Sequence, residues 1–206
     1  MNLIERAKNI LLSPNKEWDV INGEQPNTPG IITGYVLPLA GAAAVAAFIG
    51  YGFIGINFGF GIRLKGMDWG IYHALVVLGG ALLSVFICAF VIDALAPSFG
   101  SEKNMGRSVQ LAAYSFTPAW IGGLLAVLPA LGIVGSLAGL YGLYLLYIGI
   151  PKLKKTPADK QVGYFVVSLV VMIVVSIVIQ LILKKIFLAI FGLSYGLGSG
   201  SFNINF

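Results

Sequence analysis

Long apolar runs separated by short polar gaps define this chain. Apolar residues dominate from Ile31 to Ile54, Ile71 to Ala96, Val109 to Ile150 and Val162 to Leu183. Crossing about 30 Å of hydrocarbon at 1.5 Å per residue takes about 20 residues, so each run is long enough to span a bilayer and the third is about twice as long. Leu128-Pro129-Ala130-Leu131-Gly132 divides that third run, because proline and glycine suit a tight turn between antiparallel helices. The pattern therefore predicts an all-α membrane protein, a five-transmembrane-helix bundle over residues 31–191, with spans at about 31–54, 71–97, 109–128, 131–150 and 162–184.

Residues 1–30 carry a different period. Leu3, Ile4, Ala7, Ile10 and Leu11 fall on one helical face, and Glu5, Arg6, Lys8 and Asn9 take the other. This predicts an amphipathic helix lying on the cytoplasmic surface. Ser13 suits the N-cap of a second helix, with Pro14 at its first position and Glu17 in its first turn. Trp18 beside Asp19 suits an interfacial anchor. The segment either docks against headgroups or lends Glu17 and Trp18 to a partner surface. It lacks the basic tip and short apolar core of a secretory signal, so the first span is expected to stay in the mature protein. The loop at 55–70 mixes glycine with aromatic and aliphatic residues, as in Gly59-Phe60-Gly61-Ile62, and is expected to fold against the outer face. The tail at 192–206 is rich in Gly and Ser and is placed outside as well.

Composition agrees with a membrane chain. Mean hydropathy is +0.91, with 58% hydrophobic and 10% charged residues, against about a quarter charged in soluble domains, which excludes water-soluble packing. Orientation follows from the placement of Lys and Arg. With the N-terminus cytoplasmic, that side holds nine basic residues, Arg6, Lys8, Lys16, Lys103, Arg107, Lys152, Lys154, Lys155 and Lys160, against four outside, Arg63, Lys65, Lys184 and Lys185. This predicts an N-in, C-out arrangement. The net charge of +5 then reads as topology and contact with anionic headgroups, not as a nucleic-acid footprint.

Asp93 is the ionisable group the bilayer would penalise most. It lies four residues before Pro97, about 6 Å inside the end of its span, where lipid and the helix dipole both disfavour a carboxylate. It needs a partner. Arg107 and Lys103 stand across the short loop at the entrance to the next span, so an ion pair clamping this hairpin is expected, and a proton or ion site is the alternative. In the third span Gln110, Tyr114 and Thr117 share a face, and Pro118 frees the Tyr114 carbonyl for another donor. That stripe is either helix-to-helix hydrogen bonding or a solute path. Gly132, Gly135, Gly139 and Gly142 form a small-residue ridge that serves packing within the chain or a homo-oligomer, and Tyr141, Tyr144 and Tyr147 line another side.

Nothing in the chain suggests catalysis. His73 stands about 30 Å along the helix from Asp93, the single cysteine Cys88 lies inside a span, and no metal-ligand spacing, phosphate loop or nucleophile motif occurs. No cofactor and no nucleic-acid partner are expected.

Several segments together resemble a known family. They are Leu11-Leu12-Ser13-Pro14-Asn15-Lys16-Glu17-Trp18-Asp19-Val20-Ile21, the Tyr114 to Pro118 stretch, and Gly139-Leu140-Tyr141-Gly142-Leu143-Tyr144 running on to Ile150-Pro151 and Tyr164. They resemble the short bacterial branch of the Yip-domain family. The resemblance implies a five-helix bundle in the bacterial cytoplasmic membrane with a cytosolic N-terminus. Eukaryotic relatives act in vesicle trafficking, contact prenylated Rab-type GTPases and associate with one another. This chain lacks their long N-terminal region and their Asp-Leu-Tyr-Gly-Pro string, so GTPase binding does not transfer.

Two functions remain open. One is a membrane organiser or adaptor that meets a membrane or cytosolic partner through Glu17, Trp18, the Asp93 to Arg107 hairpin and Lys152, Lys154, Lys155 and Lys160. The other is a small-solute, ion or proton transporter or channel with Asp93, Gln110 and Tyr114 along the path.

Overall fold

The computed structural model describes residues 2–57, 63–175 and 177–178. Gly59-Phe60-Gly61-Ile62, the last part of the fifth expected span with Lys184 and Lys185, and the tail at 192–206 lie outside the described residues.

Two short helices come first, α1 (Leu3–Leu12) and α2 (Pro14–Gly23). The Asn2 side chain caps α1 by accepting from the Ile4 N–H at 3.2 Å. Pro14 occupies the first turn of α2 as expected, but the Ser13 side chain makes no cap bond, and its carbonyl instead accepts from the Glu17 N–H at 3.0 Å.

Next, α3 (Thr28–Ile54) starts under an Asn27 cap that accepts from the Gly30 N–H at 3.1 Å. Pro38 lacks an N–H to continue the ladder, and the helix widens over Ile32–Val36 so that the Leu37 N–H reaches the Ile32 carbonyl. A second wide turn at Gly50–Ile54 leads into a two-residue antiparallel ladder, β1 (Ile56–Asn57) with β2 (Arg63–Leu64). Then α4 (Met67–Phe99) runs back and closes in a tight turn through Pro97 to Gly100, whose φ of 65° suits glycine.

After Asn104, whose side chain accepts from the Arg107 N–H at 3.1 Å, come α5 (Met105–Ser115) and α6 (Thr117–Gly123). Pro118 separates them. The Tyr114 carbonyl it frees accepts the Thr117 hydroxyl at 2.8 Å, the substitute donor that the sequence calls for. Short turns over Leu124–Val127 and Pro129–Leu131 make the expected reversal into α7 (Pro129–Lys154), and α8 (Gln161–Val175) follows.

Among the described residues three helices, α3, α4 and α7, are long and apolar enough to cross a membrane, and α8 is apolar but shorter. Their outward faces are apolar, with Leu75 and Phe90 on α4, Ile133 and Leu137 on α7, and Val166 and Val170 on α8 all exposed. At the centre is α5, where every residue from Ser108 to Ser115 is buried. One end of the bundle, called here the polar end, gathers Asp93, Asn104, Arg107, Lys152 and Lys154. At the other end His73 stacks on Tyr51 with ring centroids 3.7 Å apart and donates from Nδ1 to the Trp69 carbonyl at 3.0 Å.

The glycine ridge of α7 divides by use. A Cβ on Gly135 would stand 2.5 Å from the Gly122 carbonyl oxygen and one on Gly142 would stand 2.5 Å from that of Ser115, whereas one on Gly132 meets nothing within 4 Å. The close approach thus serves packing inside the chain. Gly142→Ala is expected to cost about 1–3 kcal/mol, as overpacked cores do. Gly132→Ala is expected to be neutral or better. Thermal unfolding in detergent, followed by size-exclusion chromatography, checks both, and equal midpoints would refute this division.

Candidate functional site at the polar end

Asp93 does find a cation, and it is not the expected one. Lys154, the last residue of α7, is fully buried, and its Nζ donates to Asp93 Oδ1 at 2.8 Å, to Ser108 Oγ at 2.8 Å and to the Asn104 carbonyl at 3.2 Å. All three ammonium protons are taken. Asp93 Oδ1 also accepts from the Asn104 N–H at 2.7 Å and from the Ser108 hydroxyl at 3.2 Å. The clamp therefore joins α4, α5 and α7. Beside it the Glu102 N–H donates to the Lys154 carbonyl at 2.8 Å, and the buried Ser101 and Thr156 hydroxyls lie 2.8 Å apart. Tyr164 of α8 donates to the Ile92 carbonyl and stacks on Phe99, so α8 joins the same end.

Arg107 is turned elsewhere. Nη1 donates to the Ile21 carbonyl at 3.0 Å and to Gln110 Oε1 at 3.1 Å, and Nη2 donates to the Asn22 carbonyl at 2.9 Å. These carbonyls lie in the last turn of α2, where the Ile21 carbonyl also accepts from the Glu24 N–H at 3.1 Å, and a guanidinium fork reaches both at once. The expected Asp93–Arg107 pair is thus corrected to Asp93–Lys154, with Arg107 fastening α2 to α5. Lys103 stays exposed and has no part in the clamp.

A second charged cluster lies under α1. Arg6 is 5% exposed, and its Nη1 donates to Glu17 Oε1 at 2.6 Å while Nη2 donates to Glu24. Its guanidinium carbon stands 5.3 Å from the centre of the Tyr114 ring, within cation–π range. Burial opposes the Arg6 charge, yet the Glu24 hydrogen bond and the nearby acids hold its pKa above the ordinary guanidinium value. Tyr114 also meets Tyr35 and Trp18 edge to face. The Thr117 hydroxyl spends its proton on the Tyr114 carbonyl, so Tyr35 is the donor in its 2.7 Å bond to Thr117.

Three residues expected on a partner surface are withdrawn from it. Glu17 is buried by the Arg6 pair, Trp18 packs against Tyr114 and the gap left by Gly149, and Lys154 is consumed in the clamp. Of the apolar face of α1, Ala7 and Ile10 pack into the core, whereas Ile4 is exposed. Lys152 pairs with Asp19 at 2.7 Å and donates to the Asn15 carbonyl at 2.6 Å, Lys155 pairs with Glu102 at 2.6 Å, and Lys160 is exposed. Gln110 and Pro118 are buried in the stripe with Tyr114, the first on Arg107 and the second at the α5–α6 break.

Sequence reasoning passes over Arg6, Glu24, Asn104, Ser108 and Tyr35. Arg6 carried a readable signal, since it stands three residues after Leu3 and four before Ile10, on the edge of the buried arc. Lys154 did too, four residues after Ile150 and eight after Leu146 on the buried face of α7.

Comparison with known proteins fits this architecture. The inner membrane protein YohC of Escherichia coli K12 is 33% identical over 118 residues, which covers 56% of this chain and 60% of that protein. YohC of Escherichia coli O6:H1 matches to the same extent, so the chain spans under two thirds of the length of either relative. No solved structure matches. The Yip1 domain profile matches residues 8–180, from within α1 to past the described part of α8, and this helical transmembrane chain belongs to the Yip1 domain family.

Proposed function

We propose that the chain is a non-enzymatic organiser of the bacterial inner membrane. In this reading it is a five-span bundle, its N-terminus is cytoplasmic, and its polar end meets a membrane or cytosolic protein partner. The YohC name supports the location, and the excess of Lys and Arg at the polar end supports the orientation.

One observation carries the choice between organiser and transporter. The groups that could line a path, Asp93, Gln110 and Tyr114, are each held by partners inside the chain. A transported ion or proton needs sites that release and rebind it. Asp93 Oδ1 already serves three donors, and Arg6 covers Tyr114. With Glu17, Trp18 and Lys154 buried, the surface left for a partner is Lys103, Lys155 with Glu102, and Lys160.

Purification from native membranes in mild detergent tests this, with the wild type beside a Lys103→Glu/Lys160→Glu chain. A near-stoichiometric partner that the variant loses is the expected result. Liposomes holding the purified chain give the opposing test. Proton or ion flux that Asp93→Asn abolishes, with the elution profile unchanged, would overturn the organiser reading.

A further inference from the structure

The Asp93–Lys154 clamp ties α4 to α7 at the polar end, and farther down both helices pack against α5. Between them, with α8 as the remaining wall, lies a cavity of about 340 Å³. That volume is at the small end of ligand pockets, which start at about 300 Å³. The cavity exists because its walls carry little bulk. Ser84 and Cys88 line it from α4, Ser115 from α5, and Gly139 and Gly142 from α7. On the α8 side it is bounded by Ile173 and Ile177, which are 51% and 54% exposed, so it opens onto hydrocarbon and not onto water.

Two helices agree on its depth. Ser84 precedes Asp93 by nine residues, about 14 Å along α4, and Ser115 follows Ser108 by seven, about 10 Å along α5. Asp93 is itself about 6 Å inside the end of its span, so the cavity lies near the middle of a hydrocarbon core about 30 Å thick. Its hydroxyls are short of partners. Ser115 is 5% exposed and its Oγ has no hydrogen-bond partner. Ser168, whose neighbour Leu169 lines the cavity, is fully buried and its Oγ has none either. A helical serine commonly turns its proton to the carbonyl one turn back, and neither does so here. Ser84 is exposed and lines the same space. An unmet hydroxyl in hydrocarbon is costly, so these walls suit an occupant that brings acceptors.

We propose that this cavity binds the ring of an isoprenoid quinone. The ring carbonyls accept from the Ser115 and Ser84 hydroxyls, the ring lies against Phe116, and the tail leaves past Ile173 and Ile177 into the bilayer. Depth decides between this occupant and the other lipids. A phospholipid brings only hydrocarbon to mid-membrane and leaves both hydroxyls unmet, and an ionised headgroup is rejected there. A quinone is neutral, dissolves in hydrocarbon and carries acceptors without donors, which complements a wall of unpaired O–H groups. Binding is noncovalent and involves no change of oxidation state. The inference goes beyond the organiser reading, and it holds whether or not the polar end has a protein partner.

Photolabelling of the full chain in phosphatidylcholine nanodiscs tests it. The probe is an azidoquinone with a short isoprenoid tail, the competitor is decylubiquinone, and a parallel sample carries phosphatidylcholine with a photoreactive group on one acyl chain. The quinone label is expected on the peptides holding Ser115 and Phe116 or Gly139 to Leu146, and the competitor is expected to remove it. Ser84→Ala with Ser115→Ala should raise the apparent dissociation constant about tenfold, the scale of two neutral hydrogen bonds. Ser84→Leu fills the cavity from an exposed position and should abolish the label with the elution profile unchanged, so it decides the matter even where the double variant does not fold. Labelling that decylubiquinone does not displace, or that Ser84→Leu leaves intact, overturns the proposal. So does an acyl-chain label on the same peptides that excess decylubiquinone leaves unchanged, since lipid tails then fill the space. Unchanged affinity in the double alanine variant overturns the pairing of the carbonyls with these hydroxyls.

Discussion

Lys154→Met is expected to cost the bundle about 3–5 kcal/mol, the usual price of leaving one half of a buried ion pair without the other. The substitution strands Asp93 Oδ1 and also removes a donor from Ser108 and from the Asn104 carbonyl. The losses therefore fall on three helices at once. Adding Asp93→Asn is expected to recover at least half of the loss, because the amide oxygen still accepts from the Asn104 N–H while no charge is left unpaired. Thermal unfolding in detergent for both single variants and the double variant reads this coupling. Strictly additive losses would show that the two side chains do not act as a pair. Arg107→Met, by contrast, is expected to loosen α2 while sparing the α4–α7 contact, since its bonds go to Ile21, Asn22 and Gln110.

Arg6→Met is expected to undock the N-terminal hairpin without unfolding the bundle. It leaves Glu17 buried with no donor and removes the cation from the Tyr114 ring. The same scale of about 3–5 kcal/mol applies, and here it acts on a local opening. At about 1.4 kcal/mol per factor of ten, amide exchange in α1 and α2 should speed up by two or more orders of magnitude while α4 and α7 keep their protection. Arg6→Lys keeps the charge but loses the fork that reaches Glu17 and Glu24 together, so it should fall between. Faster exchange across the whole chain would show instead that the hairpin and the bundle unfold as one unit.

What could be read from the sequence follows from the physics of each feature. The span boundaries near Ile31, Ile54, Ile71 and Pro97, and the turn at Leu128 to Leu131, depend on apolar length and on proline chemistry, and both are local. The substitute donor at the Pro118 break is local as well, and Thr117 stands beside it. The partner of Asp93 is a tertiary matter. Arg107 is nearer in sequence, but Lys154 comes from a helix 61 residues on, and only the packing of both α4 and α7 against α5 brings it in. The amphipathic pattern of α1 predicts a buried face without saying what covers it, and here protein does. Glu17 and Trp18 look like surface residues because a charged residue and an indole usually are. Arg6 reverses that for Glu17, and the missing side chain of Gly149 makes room for Trp18.

The central position of α5 bears on how the protein is made. A segment that begins Met105-Gly106-Arg107-Ser108-Val109-Gln110 and is buried from Ser108 onward gains little by meeting lipid, since arginine and glutamine are rejected from hydrocarbon one segment at a time. It should therefore stay at the insertion machinery, or fall back out, until neighbours shelter it. Asp93 at the end of α4 can hold Asn104 as soon as that residue is made, but Lys154 and the flank of α7 arrive only after some fifty further residues. The late arrival of α7 then fixes the earlier helix in place, and chains truncated before Lys154 should be the ones cleared by membrane proteases.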